Sequence, residues 1–117
     1  PRRIERRMSR RERRTAFRAA LAAKAAAECI HVTHSWGEAT KTRERAMWLA
    51  ERGLVGRVLL VDVDPSAELR SVSGNIGLVD VVRADSLAVH EVVRADHIVV
   101  TPAALECMRD RSSHGTR

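Results

Sequence analysis

RVLLVDVDPSAELRSVSGNIGLVDVV, residues 57–82, reads as a strand, a short helix and a second strand. Arg57 to Val63 is an almost unbroken branched-apolar run, the composition of a strand covered on both faces. Asp64-Pro65 then offers an N-cap followed by proline at the first helical position, where a missing N–H breaks no hydrogen bond. Leu69 and Val72 can face the sheet, Gly74 can end the helix, and Leu78 to Val82 is apolar enough to be the next strand. Two strands joined through a helical crossover run parallel, so this unit predicts an open α/β sheet.

The flanking segments extend the same pattern. Upstream, Ser9 and Glu12 match a capping box, and Ala16, Phe17, Ala20, Leu21 and Ala25 follow at helical spacing, predicting a helix that packs on the sheet. Cys29 to His34 should be a strand. Thr42 is placed to cap a helix through Arg52, with Ala46, Leu49 and Ala50 inward and Gly53 as its stop. Downstream, Asp85 should cap a short helix containing Leu87, Ala88 and Val92, and His97 to Thr101 should be the fourth strand. Thr101-Pro102 repeats the cap-plus-proline device before a last helix presenting Leu105 and Met108, and the chain from Arg109 onward is polar and expected to fray. The fold class is therefore α/β, a single open, mainly parallel four-stranded sheet with flanking helices and a basic N-terminal arm. Residues 1–14 form the arm, 15–109 the α/β domain and 110–117 a polar tail.

With 117 residues, 44% of them hydrophobic, the chain can build one domain with a modest core. No apolar run approaches the roughly 20 residues of a membrane span, and no apolar h-region stands at the start. Cys29 and Cys107 are far apart and lack CxxC spacing, which suits reduced thiols better than a disulfide or zinc framework. The charge is strongly divided. Pro1 to Lys24 holds ten basic residues against Glu5 and Glu12, a net +8, whereas the rest holds 11 basic and 13 acidic residues, a net −2. A nearly neutral domain carrying a basic arm is an arrangement for holding a polyanion, and nucleic acid is the first partner to consider. Arginine on the first turns of a helix opposes the helix dipole, an arrangement that phosphate would relieve.

Catalytic and metal chemistry have little support. Asp62 and Asp64 form a DxD at the carboxyl end of a strand, where open α/β sheets place their chemistry, so a small phosphoryl-transfer or nucleotide-binding protein is the alternative reading. Ser73-Gly74-Asn75-Ile76-Gly77 follows a helix and precedes a strand, the reverse of a phosphate-cradling loop, and is a turn. The histidines show no ligand spacing, and no G-x-S-x-G elbow is present, so neither a metal, a cofactor nor a serine nucleophile is implied. Trp36, in a loop near Lys41 and Arg43, is the better candidate for stacking on a base, and Trp48 is expected to pack.

Four segments in collinear order carry a resemblance. Pro1 to Lys24, PRRIERRMSRRERRTAFRAALAAK, is similar to a PR-x-x-x-K-x-x-K-K-x-R-R-x-A-L-R-S-A-L-S-x-K segment. Lys41-Thr42-Arg43 stands at a K-T-[KR] motif, Asn75-Ile76 at an R-N-[IL]-P-G-V turn, and Leu87 to Leu105, LAVHEVVRADHIVVTPAAL, at an N-V-Y-D-[LI]-L-x-x-D-x-[LV]-V-[LF]-T-x-x-A-L ending. Together they resemble the carboxyl-terminal two-thirds of the large-subunit ribosomal protein L-four family. Gly74, Gly77, Leu78, Ala88 and His90 depart from its pattern, so the contacts made at those positions in relatives do not carry over.

The resemblance implies a non-catalytic constituent of the large ribosomal subunit, with ribosomal RNA and neighbouring large-subunit proteins as partners. The family's amino-terminal region and tunnel loop have no counterpart in the 117 residues. The expectation is a split product, its other half on a separate chain, or a reduced organellar form, with the mitochondrion favoured over the bacterial cytoplasm. Charge and resemblance together nominate Arg2, Arg3, Arg6, Arg7, Arg10, Arg11, Arg13, Arg14 and Arg18 for RNA phosphates, with Lys24, Lys41 and Arg43 adding contacts from the body.

Overall fold

A computed structural model of the chain describes residues 9–37 and 41–113. Among the described residues nine regular elements alternate: α1 (Arg10–Ala26), β1 (Ile30–Val32), α2 (Thr42–Glu51), β2 (Val58–Asp62), α3 (Ala67–Ser73), β3 (Val79–Arg83), α4 (Val89–Arg94), β4 (His97–Val100) and α5 (Pro102–Ser113). A single 3₁₀ turn, Ala84–Ser86, leaves β3. The four strands form one sheet in the order β1-β4-β2-β3, and all three pairings are parallel. This is the α/β fold that the stretch at 57–82 predicts.

Strand position follows composition. β2 and β4 are the two nearly continuous apolar runs, and they occupy the centre, where both faces are covered. Leu59, Val61, Ile98 and Val100 point into one core with Phe17, Leu87, Val92, Ala104 and Met108. Val58, Leu60 and Val99 point into the other with Leu49, Leu54, Leu69 and Val79. The alternation is the period of two that a pleated strand imposes. β1 and β3 bring His31 and Asp80 and lie at the edges. At one edge His31 Nε2 lies 3.1 Å from Nδ1 of His97 on the neighbouring strand, and burial, then His97, push the His31 imidazole below its ordinary pKa.

Four local expectations give way to better-placed partners. The helix after β2 is capped by Ser66, whose Oγ accepts from the Leu69 amide at 3.0 Å, not by Asp64; Pro65 is buried just ahead of the cap. α2 starts one residue earlier than a Thr42 cap would allow. Lys41 is its N-cap, and the Glu44 carboxylate accepts from the Lys41 amide at 3.3 Å. Asp85 caps nothing either: it pairs with Arg83 at 3.2 Å, which holds its carboxyl below the usual range, while Glu91 accepts from the Ala88 amide at the start of α4. Finally, the helix begun at Pro102 runs to Ser113, because Arg111 donates to the Ala84 carbonyl at 2.7 Å and lies over the Phe17 ring at 4.3 Å.

Other signals stand as read. α1 packs against α4 and α5, and its Phe17 is buried in the core shared with Leu59, Val61, Ile98 and Val100 of the sheet, as its apolar stripe predicts. Ser9 and Glu12 form a reciprocal capping box, with Ser9 Oγ accepting from the Glu12 amide and Glu12 accepting from the Ser9 amide. Thr101 Oγ1 accepts from the Ala104 amide, and Gly53 follows α2 with φ of 70°, a conformation that suits glycine. Cys29 and Cys107 are half-buried free thiols.

The two candidate caps before α3 separate cleanly by mutation. Ser66→Ala should lower unfolding free energy by about 1 kcal/mol in urea, the ordinary loss of an N-cap. Asp64→Ala should change it by less than about 0.5 kcal/mol, as an exposed position without a bond does. The reverse order would restore Asp64 as the cap.

Candidate nucleic-acid interface

α1 is the basic element of the described chain. Arg10, Arg11, Arg13 and Arg18 are exposed and Arg14 half-buried, all on a helix whose first turn is fixed by the Ser9–Glu12 box. Helical spacing divides them. Arg10, Arg13 and Arg14 share the side of Phe17, whereas Arg11 and Arg18, seven apart, lie together on a second side. Beside the first set, α1, α4 and α5 enclose a groove of about 780 Å³ lined also by Ala88, Val89, His90, Val93, Arg94 and Arg111. Arg2, Arg3, Arg6 and Arg7 lie outside the described residues.

The remaining candidates are placed differently. Lys24 is half-buried, and its ammonium donates to the Ala95 carbonyl at 2.5 Å, tying the end of α1 to the entry of β4. That bond gives Lys24 a structural job. Lys41 and Arg43 are exposed at the start of α2, which covers the opposite face of the sheet from α1. The arginines of α1 and this pair thus belong to one end of the body. The first turns of α1 meet the start of α4, which follows β3, and α2 starts after β1, so both basic sets lie toward the carboxyl edge. They sit on opposite faces of it.

The alternative site at the DxD is occupied by the protein itself. Asp62 Oδ2 accepts from the indole N–H of Trp36 at 2.8 Å, and Oδ1 accepts from the Val63 amide at 2.7 Å and from Thr101 Oγ1 at 3.4 Å. Asp64 is exposed and does not share these bonds. Among the described residues no three His, Cys, Asp or Glu side chains come together as a metal would need. Trp36, the candidate for stacking on a base, instead packs into the core beside Trp48, with ring centroids 6.1 Å apart.

Three arginines escape sequence reasoning. Arg94 and Arg111 line the groove, Arg94 from the last residue of α4 and Arg111 from a segment read as a frayed tail. Arg45 is only 2% exposed and takes the inward place expected for Ala46, which is exposed. Its Nε and Nη1 have no hydrogen-bond partner among the described residues, and its guanidinium lies 4.8 Å over the Trp48 ring. Burial, then neighbouring Arg52, lowers its pKa against the opposing pull of Glu68. No periodicity signals such a residue, because its buried stem and stacked head depend on where Trp48 falls.

Trp36→Phe tests the occupied carboxylate. Loss of the indole donor should cost about 1–3 kcal/mol in urea unfolding, the range for leaving a part-buried charged acceptor without its partner. An unchanged midpoint would show the bond to be incidental.

The family model described as "Ribosomal protein L4/L1 family" matches residues 1–111. The chain is 37% identical over 116 residues to the "Large ribosomal subunit protein uL4" of Synechocystis, and 34% identical over 108 residues to the protein of the same name from Synechococcus. These matches cover 94% and 88% of the chain but 54% and 50% of the relatives. The chain therefore spans about half the length of the relatives it matches.

Proposed function

We propose a structural, RNA-binding role in the large ribosomal subunit, from the premise that the chain belongs to the ribosomal protein L4/L1 family. The observation that carries the RNA part is the α1 surface, where Arg11 and Arg18 stand exposed together on the side of a capped helix away from the groove. Arginine suits this task because its guanidinium meets phosphate oxygens through two parallel N–H bonds. Arg2, Arg3, Arg6 and Arg7 extend the same charge in sequence, and Lys41 and Arg43 add a second point of attachment on the other face. Recognition then rests on the position of phosphates, since the tryptophan best placed in sequence to stack on a base is bonded to Asp62.

The partners in this reading are large-subunit ribosomal RNA and neighbouring large-subunit proteins, and the location is the large subunit. No catalytic step is assigned. The phosphoryl-transfer alternative has the weaker support, because each oxygen of Asp62 already accepts a hydrogen bond from the fold. The two relatives named above are cyanobacterial, which lends no support to a mitochondrial location or a separate amino-terminal chain, and we adopt neither.

Binding of the purified chain to a large-subunit ribosomal RNA fragment, followed across salt concentration, tests the reading. The log–log slope should be several units negative, about −0.7 to −0.9 for each phosphate contact. Replacing Arg11 and Arg18 together by glutamine should make the slope shallower by about 0.7–0.9 per arginine that touches phosphate. A slope near zero in the unaltered chain would overturn RNA binding.

A further inference from the structure

The groove beside α1 has a composition that phosphate binding does not account for. Its walls are aliphatic as well as cationic: Val89 and Val93 of α4 line it beside Phe17, and Val93 is 58% exposed, among the most exposed large apolar side chains of the described chain. Arg10 and Arg14 border it from α1 and Arg94 from α4, while no aspartate or glutamate stands among its described lining residues. From these features we infer that the groove docks a protein segment bearing aliphatic or aromatic anchors flanked by carboxylates. The anchors fill the space over Val89 and Val93, and the carboxylates pair with the arginines along the borders, an apolar centre with a charged rim.

Three other occupants fit less well. Nucleic acid offers phosphates to the arginines but nothing apolar to cover the aliphatic walls of Val89 and Val93, and the Phe17 ring, 3% exposed beneath the Arg111 guanidinium, is closed to a stacking base. The chain's own first eight residues bring four arginines against Glu5, so like charge opposes their return to the groove. A second copy docked groove to groove would set α1 against α1, arginine against arginine. The inference does not depend on the ribosomal reading, because it rests on the groove alone.

The probe is an acetylated peptide of about 15 residues with leucines at i, i+3, i+4 and i+7 and glutamates between them. A peptide of the same composition with its leucines spread around the helix serves as control. Binding to the full chain is read by fluorescence anisotropy, with circular dichroism confirming that each variant is folded. We expect saturable binding of the patterned peptide, at least tenfold tighter than the control. Val93→Asn, which removes an apolar contact without changing charge, should weaken it about tenfold, and Arg94→Gln should weaken it severalfold.

Equal binding of both peptides, or indifference to both substitutions, would overturn the inference. Competition by an RNA oligomer with the same sensitivity to Val93→Asn would give the groove to nucleic acid. Binding in trans of a peptide of residues 1–8, with that sensitivity, would give it to the chain itself. Concentration-dependent dimerisation abolished by Val93→Asn would give it to a second copy.

Discussion

Burial of β2 and β4 on both faces is the constraint on which the other elements depend. Val58 to Val61 and Ile98 to Val100 present apolar side chains alternately above and below, each at most 6% exposed. At about 25 cal/mol per Å² of apolar surface, leaving either face uncovered would sacrifice several kcal/mol, comparable with the whole stability of a small domain. Helices must therefore lie on both sides, and parallel pairing supplies them through the crossovers. α2 and α3 close one face, and α4 and α5, with α1 packed against both, close the other.

That packing shapes what α1 can do. Its inward side is held by Phe17 and, at its far end, by the bond from Lys24 to the Ala95 carbonyl. Its arginines are consequently presented from a fixed helix instead of a loose tail, with their order set by the same spacing that buries Phe17. Arg111 joins the two sides of this packing, bonding to the Ala84 carbonyl beyond β3 while its guanidinium covers the Phe17 ring. A single cationic side chain thereby supports the fold and lines the groove.

The sequence made the repeated, cumulative features legible: the four apolar strands, their parallel pairing and the basic start of α1. Each rests on many residues with the same periodicity, so no single competing contact reverses it. Features resting on one residue were less legible. Asp64 and Ser66 both satisfy the rules for a cap, and the choice depends on where β2 releases the chain. Asp62 has the strand-end position of a phosphoryl-transfer carboxylate, and only the fold brings Trp36, separated from it by 26 positions, to donate to it. Arg45 and Arg111 had the composition of surface residues, and only the placement of Trp48 and Phe17 gave their guanidinium groups somewhere to lie. The departures share a cause, since long-range partners are invisible to local pattern.

The central claim is that this fold serves as a fixed support for cationic contacts within a large ribosomal subunit. Sedimentation of extract from cells that express the chain, followed by immunodetection across a sucrose gradient, tests it most directly. The account predicts comigration with the large subunit that survives moderate salt, as a protein held by many phosphate contacts and a packed body should. Recovery of the chain at the top of the gradient in low salt would contradict it.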